Sequence, residues 1–279
     1  MHTPSGPRIS KDQVQAALRK IQPILAPDLS IKEYSHQILR YRLRFLDRVS
    51  PLSFAERPPS EKEQRYSHQQ YESVEYRYRG LDALNRCMES GKPVCLVGWH
   101  HGAREHFAYA VMKAVPKIGF FTLKKLQFGP FVTHSTEDAG PLAVLQMRAM
   151  LGEGHPVFHY LDGPPTGRTV ETDMLGHRSQ FSLAPLRMLC QYPDMQIVPV
   201  TSRYKTPDEV LMRFYDPASP PEAGPDQEIE LVRRLLSTFT ENLRRHAPEQ
   251  ALVRMLPYRE MLAKRLNDRA ASKRGNTNS

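Results

Sequence analysis

Two histidines and a glutamate follow a short apolar run in the first half of the chain. The run Val94–Val97 ends at Gly98, His100 and His101 follow, and Glu105 completes an H-x4-E spacing from His100. A histidine accepts a proton near neutral pH, and a nearby carboxylate orients the imidazole and stabilises its protonated form. The segment therefore predicts a general base with a carboxylate partner, able to activate a hydroxyl or amine nucleophile.

The spacing alone does not choose between His100 and His101. Adjacent side chains on an extended backbone point in opposite directions, so either imidazole could face a cleft. A structural explanation is also compatible with the pattern. One histidine would then only end a strand, and Glu105 would only favour the amino terminus of a helix through the macrodipole.

A second carboxylate ends another apolar run. Asp162 follows residues 157–161 and precedes Gly163-Pro164-Pro165. Ligands of parallel α/β sheets bind outside the carboxyl ends of the strands. We therefore expect His100, Glu105 and Asp162 to converge in one cleft, although an Asp-Gly pair is also typical of an ordinary turn.

Basic side chains near these segments are candidate ligands for a phosphate or a carboxylate. Arginine and lysine bind both groups through charge-assisted hydrogen bonds. Each of the four also fits a solvent-exposed surface residue. The candidates are Lys124, Lys125, Arg168 and Arg178.

Metal binding and covalent catalysis have little support. His155 and His159 are four residues apart, but Gly154 and Pro156 disfavour a helix there, and on a strand this spacing does not bring the two rings together. No Cys/His cluster has zinc spacing, so we expect no metal site. The sequence has no G-x-S-x-G elbow, Walker loop or G-x-G-x-x-G motif, which leaves a serine or cysteine nucleophile unsupported.

Composition indicates a globular protein that meets an acidic partner. The chain has 279 residues, 40% of them hydrophobic, three widely spaced cysteines and a formal net charge of +9. It has no secretory signal and no apolar run of spanning length, so we expect reduced cysteines and a cytoplasmic location. An acidic carrier protein, a phosphorylated cofactor, an anionic membrane or nucleic acid would suit the charge. No nucleic-acid motif is present, so we expect no nucleic-acid partner.

Apolar periodicity predicts an α/β fold with a largely parallel central sheet flanked by helices on both faces and preceded by a helical segment. The predicted strands are 93–97, 118–122, 157–161 and 196–200. The predicted helices are two within 11–50, then 74–90, 105–115, 141–151, 183–190 and an amphipathic helix around 229–243. The basic helix at 36–48 fits either a solvated face or a peripheral contact with the inner membrane surface.

Three regions follow from this pattern. We assign an N-terminal helical segment and linker to 1–72, and an α/β domain to 73–262. The basic stretch 263–279 lacks apolar periodicity, and we expect a disordered tail there.

Several segments together resemble the HtrB-like late acyltransferases of bacterial lipid A biosynthesis, a branch of the lysophospholipid acyltransferase superfamily. The resemblance covers about residues 75–260, and its segments occur in the family's order. They are Arg79–Leu84 with Glu89–Val94, His100–Glu105, Leu161–Gly163 with Leu175-Gly176, Leu183–Pro185 and Ile197–Val200, and Arg244–Gln250 through Arg254 and Arg259.

The resemblance implies direct transfer of a fatty acyl group from a thioester to a hydroxyl or amine, without an acyl-enzyme. His100 would be the general base, Glu105 would orient it, and Asp162 would shape the site or hold the acceptor. The basic side chains Lys124, Lys125, Arg168 and Arg178 would bind phosphate on either substrate. The donor would be acyl carrier protein or CoA thioester as co-substrate, with no tightly bound cofactor.

The sequence also departs from the family's pattern. His-His-Gly-Ala-Arg-Glu stands at 100–105 where the family usually has His-Phe-Gly-Asn-Trp-Glu, and Ala-Leu-Val stands at 251–253 where tryptophans are expected. Residues 121–125 replace a Tyr-Arg-Pro region, and no segment matches the family's membrane helix. These changes predict a divergent member with another acceptor, which could be a lipid, a saccharide or a biosynthetic intermediate. A thioesterase-like hydrolase and a non-catalytic acyl-binding protein are the alternatives.

Overall fold

The structure is a computed structural model. It describes residues 9–45, 69, 71–122, 126–128, 130–135, 139, 142–163, 165, 167–192, 194–222, 224, 226–253 and 256–257. The helices are α1 (Lys11–Leu25), α2 (Ile31–Phe45), α3 (Leu81–Glu89), α4 (Arg104–Ala114), α5 (Leu142–Gly152), α6 (Leu183–Cys190) and α7 (Gln227–His246).

The strands lie between these helices. Their bounds are β1 (Glu75–Arg79), β2 (Val94–Gly98), β3 (Gly119–Thr122), β4 (Gln127–Phe128), β5 (Phe131–Val132), β6 (His134–Ser135), β7 (Val157–Tyr160), β8 (Thr169–Met174), β9 (His177–Ser182), β10 (Gln196–Thr206) and β11 (Glu209–Phe214).

Among the described residues, seven strands form the central sheet in the order β1-β11-β10-β2-β7-β3-β6. The strands from β10 to β6 are parallel, whereas β11 runs antiparallel to β10 and β1 runs parallel to β11. The predicted α/β fold with a largely parallel sheet is confirmed. The carboxyl ends of β2 and β7 are neighbours in this sheet, so the residues that follow them meet at one edge.

Helices cover both faces of the sheet, as a parallel sheet requires. Every residue of β2 is buried, which explains why its sequence is continuously apolar. One face packs against α1, α5, α6 and α7, and the other packs against α3 and α4. The sheet therefore separates two apolar cores, and polar residues such as His100 and Asp162 follow the ends of its strands.

The first two helices pack against this core. A capping box between Ser10 and Gln13 begins α1, whose buried side chains share a core with α7. In α2, Tyr34 belongs to the core on one face of the sheet and Tyr41 to the core on the other. The second helix thus lies across the edge of the sheet, next to the segment that follows β2.

The prediction of a single helix over residues 74–90 is wrong in its first part. Residues 75–79 form β1, in which exposed and half-buried side chains alternate. The alternation places Tyr76 and Tyr78 on the inner face, a period-two pattern typical of a strand. Only residues 81–89 are helical, and Gly80 separates the two elements.

The antiparallel elements are additions to the predicted pattern. The hairpin of β8 and β9 lies outside the central sheet, and the predicted strand 196–200 extends to residue 206 to pair with β11. Within the part of the chain that the structure describes, no helix is long and apolar enough to cross a membrane. The predicted tail, 263–279, lies outside the described residues.

Candidate active site

His100 and Asp162 form a hydrogen-bonded pair where β2 and β7 end. Nδ1 of His100 lies 2.9 Å from Oδ1 of Asp162, and the backbone amide of His100 donates to both carboxylate oxygens at 3.0 Å. The side chain of Asp162 is 1% exposed, whereas that of His100 is 23% exposed. A buried carboxylate therefore fixes a histidine that solvent still reaches.

This arrangement sets the chemistry of the two ring nitrogens. The carboxylate only accepts hydrogen bonds, so we assign the imidazole proton to Nδ1 and leave the lone pair on Nε2. The ring of Tyr160 stacks on the imidazole at a centroid distance of 4.1 Å and an interplanar angle of 16°. His100 is thus oriented from its edge and from its face, and Nε2 can accept a proton from a bound acceptor.

His101 has a different role. It is 1% exposed, and its Nδ1 accepts a hydrogen bond from the backbone amide of Leu252 at 2.9 Å. Its ring packs against Trp99 at 4.4 Å. The two histidines therefore have different partners, Asp162 for His100 and the backbone of Leu252 for His101. The geometry favours His100 as the base and gives His101 a structural contact with the C-terminal segment.

Gly102 fixes the loop that carries both histidines. Its φ is +86°, and a Cβ on it would lie 1.8 Å from the backbone oxygen of Ser202. Its amide donates to the carbonyl of Gln250 at 3.1 Å, and its carbonyl accepts from the Tyr41 hydroxyl at 3.0 Å. Only glycine fits this approach, because it lacks the Cβ that would collide.

The turn Pro248–Gln250 anchors the same loop, a role that sequence reasoning did not assign. The amide group of Gln250 pairs with the backbone of Tyr204 through two hydrogen bonds of 2.9 Å, and Tyr34 donates to the carbonyl of Pro248 at 2.8 Å. Gln250 is 3% exposed. Gln250 lies in the Pro-Glu-Gln segment that resembles the HtrB-like family, but no pattern in the sequence indicates its contact with residue 204.

Of the two predicted carboxylates, the structure describes the side chain of Asp162 but not that of Glu105. Asp162 contacts Nδ1 of His100, the place that the resemblance gave to Glu105. Glu105 lies in the first turn of α4, but its side chain is outside the described part of the structure, so its orienting role stays a prediction. Lys124 and Lys125 also lie outside the described residues.

The two predicted arginines lie on the β8–β9 hairpin segment. Arg168 is exposed just before β8. Arg178, in β9, is 87% exposed, and its Nε lies 3.6 Å from a carboxylate oxygen of Glu171. Their contacts with a substrate stay predictions.

Two further histidines are held neutral. Burial lowers the pKa of His106 to about 4, and its Nδ1 lies 2.8 Å from the Tyr76 hydroxyl oxygen. Burial also lowers the pKa of His159 to about 4, although the carboxylate of Asp162 opposes the shift. Imidazoles with so low a pKa are weak bases at neutral pH, so neither competes with His100 for the role of general base.

Comparisons with known proteins add little at the level of sequence. No family model matches the chain, and no curated protein matches it. Among solved structures, it is similar to the 1-acyl-sn-glycerophosphate (LPA) acyltransferase PlsC from Thermotoga maritima, with 11% identity and a TM-score of 0.35. The similarity covers 82% of this chain and 95% of that chain. A likeness this weak does not establish a shared activity.

Proposed function

We propose that this protein is an acyltransferase that moves a fatty acyl group from a thioester donor to a hydroxyl or amine of an acceptor. The observation that supports the proposal is the His100–Asp162 pair at the carboxyl ends of two neighbouring parallel strands. A buried carboxylate on Nδ1 and an open Nε2 make a general base suited to such a nucleophile.

The proposed reaction is a direct transfer. Nε2 of His100 takes the acceptor's proton as the acceptor oxygen or nitrogen attacks the thioester carbonyl. The carbon–sulfur bond breaks, the new ester or amide bond forms, and the imidazolium returns its proton to the departing thiolate. The negative charge of Asp162 stabilises the imidazolium between these events. Atoms and charge balance without an acyl-enzyme.

The remaining predicted site residues would stabilise the protonated imidazole or bind a phosphate group. Glu105 follows His100 at the H-x4-E spacing, and the resemblance to HtrB-like acyltransferases assigns it to the protonated imidazole. Lys124, Lys125, Arg168 and Arg178 are proposed to meet phosphate on the donor or the acceptor. The net charge of +9 suits an acidic acyl carrier protein or CoA as the source of the acyl group.

Product analysis tests the proposal. Acyl carrier protein and CoA thioesters would be offered separately with an extract of small molecules and lipids, and acylated products identified by mass spectrometry. Wild-type protein should form an acylated acceptor, whereas His100→Ala should not. The control His134→Ala, an exposed histidine on β6, should keep the activity. Release of free fatty acid without any acceptor dependence would favour the hydrolase, and thioester binding without turnover would favour the acyl-binding protein.

We also propose a peripheral membrane contact through α2. Leu39 and Leu43 are 52% and 60% exposed, and Arg40 and Arg44 lie beside them in the sequence. Apolar and basic side chains on one surface helix suit an anionic lipid surface. The wild-type protein should sediment with anionic vesicles, whereas the Leu39→Glu/Leu43→Glu variant should stay in the supernatant. Equal sedimentation of both proteins would exclude this contact.

A further inference from the structure

A cluster of positive charge lies apart from the His100 pair, at the side of the sheet formed by β1, β11 and β10. The side chains of Arg79, Arg203, Arg213 and His246 line one narrow crevice. Thr201, Leu211 and Asn242 complete its lining. None of these residues is among the predicted site residues, although Arg79 and His246 lie in segments that resemble the HtrB-like family.

The strand register brings the arginines together. Arg79 on β1 pairs with Arg213 on β11, and Arg213 pairs with Thr201 on β10. Directly paired residues share a face of a sheet, and so do residues two apart on one strand, which places Arg203 on the same face. The end of α7 supplies His246, so four basic groups from four elements converge.

The positive charges of this cluster are not balanced by neighbouring carboxylates in the described part of the chain. Among the described residues, no carboxylate lies within ion-pair distance of the three guanidinium groups, and Glu249 acts on Arg203 only from farther away. Burial, and then the charge of Arg79, lowers the pKa of Arg203. Burial, and then the neighbouring arginines, also lowers the pKa of His246. Like charges gathered in this way destabilise one another unless an anion joins them.

Structural contacts use only part of this donor capacity. Arg203 donates one N–H to the carbonyl of His246 at 2.7 Å, where α7 ends, and Arg213 lies over the ring of Tyr215 at 4.9 Å. A guanidinium carries five N–H donors in a planar fork that matches phosphate oxygens. The crevice therefore keeps donors for an oxyanion after its structural contacts are counted.

We propose that this crevice is a binding site for a phosphoryl group, held by Arg79, Arg203 and Arg213 with His246 at its rim. The site is independent of the acyl-transfer proposal, because none of its ligands touches the His100 pair. A bound dianion offsets the repulsion from the arginines and so favours the protonated form of His246. Binding should then raise the pKa of that imidazole.

Nuclear magnetic resonance of the His246 ring tests the site. The full chain would be titrated with inorganic phosphate at constant ionic strength, with the ring resonance assigned through its loss in His246→Gln. We expect a saturable shift and an increase in the pKa of His246. Arg79→Gln/Arg213→Gln should weaken phosphate binding at least about tenfold, because it removes two charge-assisted contacts. If the double variant fails to fold, Arg79→Gln alone, at the exposed end of β1, replaces it.

The control is Arg233→Gln/Arg234→Gln, which makes the same charge change on exposed residues of α7. It should bind phosphate as the wild-type protein does. His100→Ala should also retain binding, so the two proposals fail separately. A parallel titration with glycerol 3-phosphate shows whether the crevice binds a phosphomonoester or free phosphate more tightly. The proposal would be overturned if chloride shifted the His246 resonance as much as phosphate does. It would also be overturned if Arg79→Gln/Arg213→Gln bound phosphate as tightly as the wild-type protein.

Discussion

At the scale of single residues, the structure places the carboxylate of Asp162 against Nδ1 of the candidate base His100. Asp162→Asn keeps the size of the side chain and removes the charge that stabilises the imidazolium. We expect kcat to fall by about 10²- to 10⁴-fold, on the scale of general-base catalysis and of comparable substitutions in other enzymes. Steady-state kinetics with the thioester donor that the product analysis selects would measure this loss.

Glu105→Gln is the matched variant, since it removes the same charge from the start of α4. It should lose less than Asp162→Asn, because the contact between Asp162 and Nδ1 remains. Loss of equal size in both variants would indicate that the two carboxylates act together. Near-normal turnover of Asp162→Asn would contradict the orienting role.

His106 gives the protein a pH-dependent stability. Its pKa is about 4 in the folded protein and about 6.5 in an unfolded chain, so only the unfolded chain binds the proton between these values. The contribution of His106 to stability should be fully present above about pH 6.5 and decline as the pH decreases towards 4, by roughly 1.4 kcal/mol per pH unit. Urea unfolding at several pH values measures the slope.

His106→Gln should flatten that slope without removing it, because His159 has the same direction of shift. The exposed His134→Gln should leave the slope unchanged. A slope that is identical in wild-type protein and in His106→Gln would show that another group controls the acid response.

At the scale of elements, the loop between β2 and α4 depends on Gly102. Gly102→Ala should reduce activity at least about tenfold, because its Cβ would meet the backbone oxygen of Ser202 and displace the loop that carries His100. Gly154→Ala is the matched control. That glycine also has a positive φ, of +77°, but nothing lies within 4 Å of its added Cβ.

Both substitutions carry the backbone strain of a left-handed alanine, about 1–2 kcal/mol. Only Gly102→Ala adds a collision with backbone, so its free energy of unfolding should fall further than that of Gly154→Ala. Chemical denaturation and activity assays of the two variants make the comparison. Equal effects in both would mean that the loop adapts to the added methyl group.

At the scale of the whole molecule, the parallel core was predictable and its antiparallel edge was not. The run 94–97 is continuously apolar, and 157–161 is apolar apart from His159, because helices cover both faces of the sheet; that signal is local. The strand 75–79 alternates tyrosine with charged residues, and its pairing with β11 spans more than a hundred residues of sequence. Such long-range pairing leaves no pattern in a single short segment.

The candidate site was predictable to a similar extent. The position of His100 at a strand end follows from sequence, and the neighbouring order of β2 and β7 makes Asp162 its partner. That order depends on the topology of the sheet, which spacing along the chain does not encode. The same holds for Gln250, whose pairing with Tyr204 needs the path of the chain after α7.

The most direct test of the account is a double-mutant cycle on His100 and Asp162. Acyl-transfer rates would be measured for His100→Ala, Asp162→Asn and the combined variant under single-turnover conditions. If Asp162 acts through His100, the combined variant should be as slow as His100→Ala alone, within about threefold, because the carboxylate has nothing left to orient. A combined rate that falls by the product of the two single losses, or near-normal transfer by His100→Ala, would contradict the account.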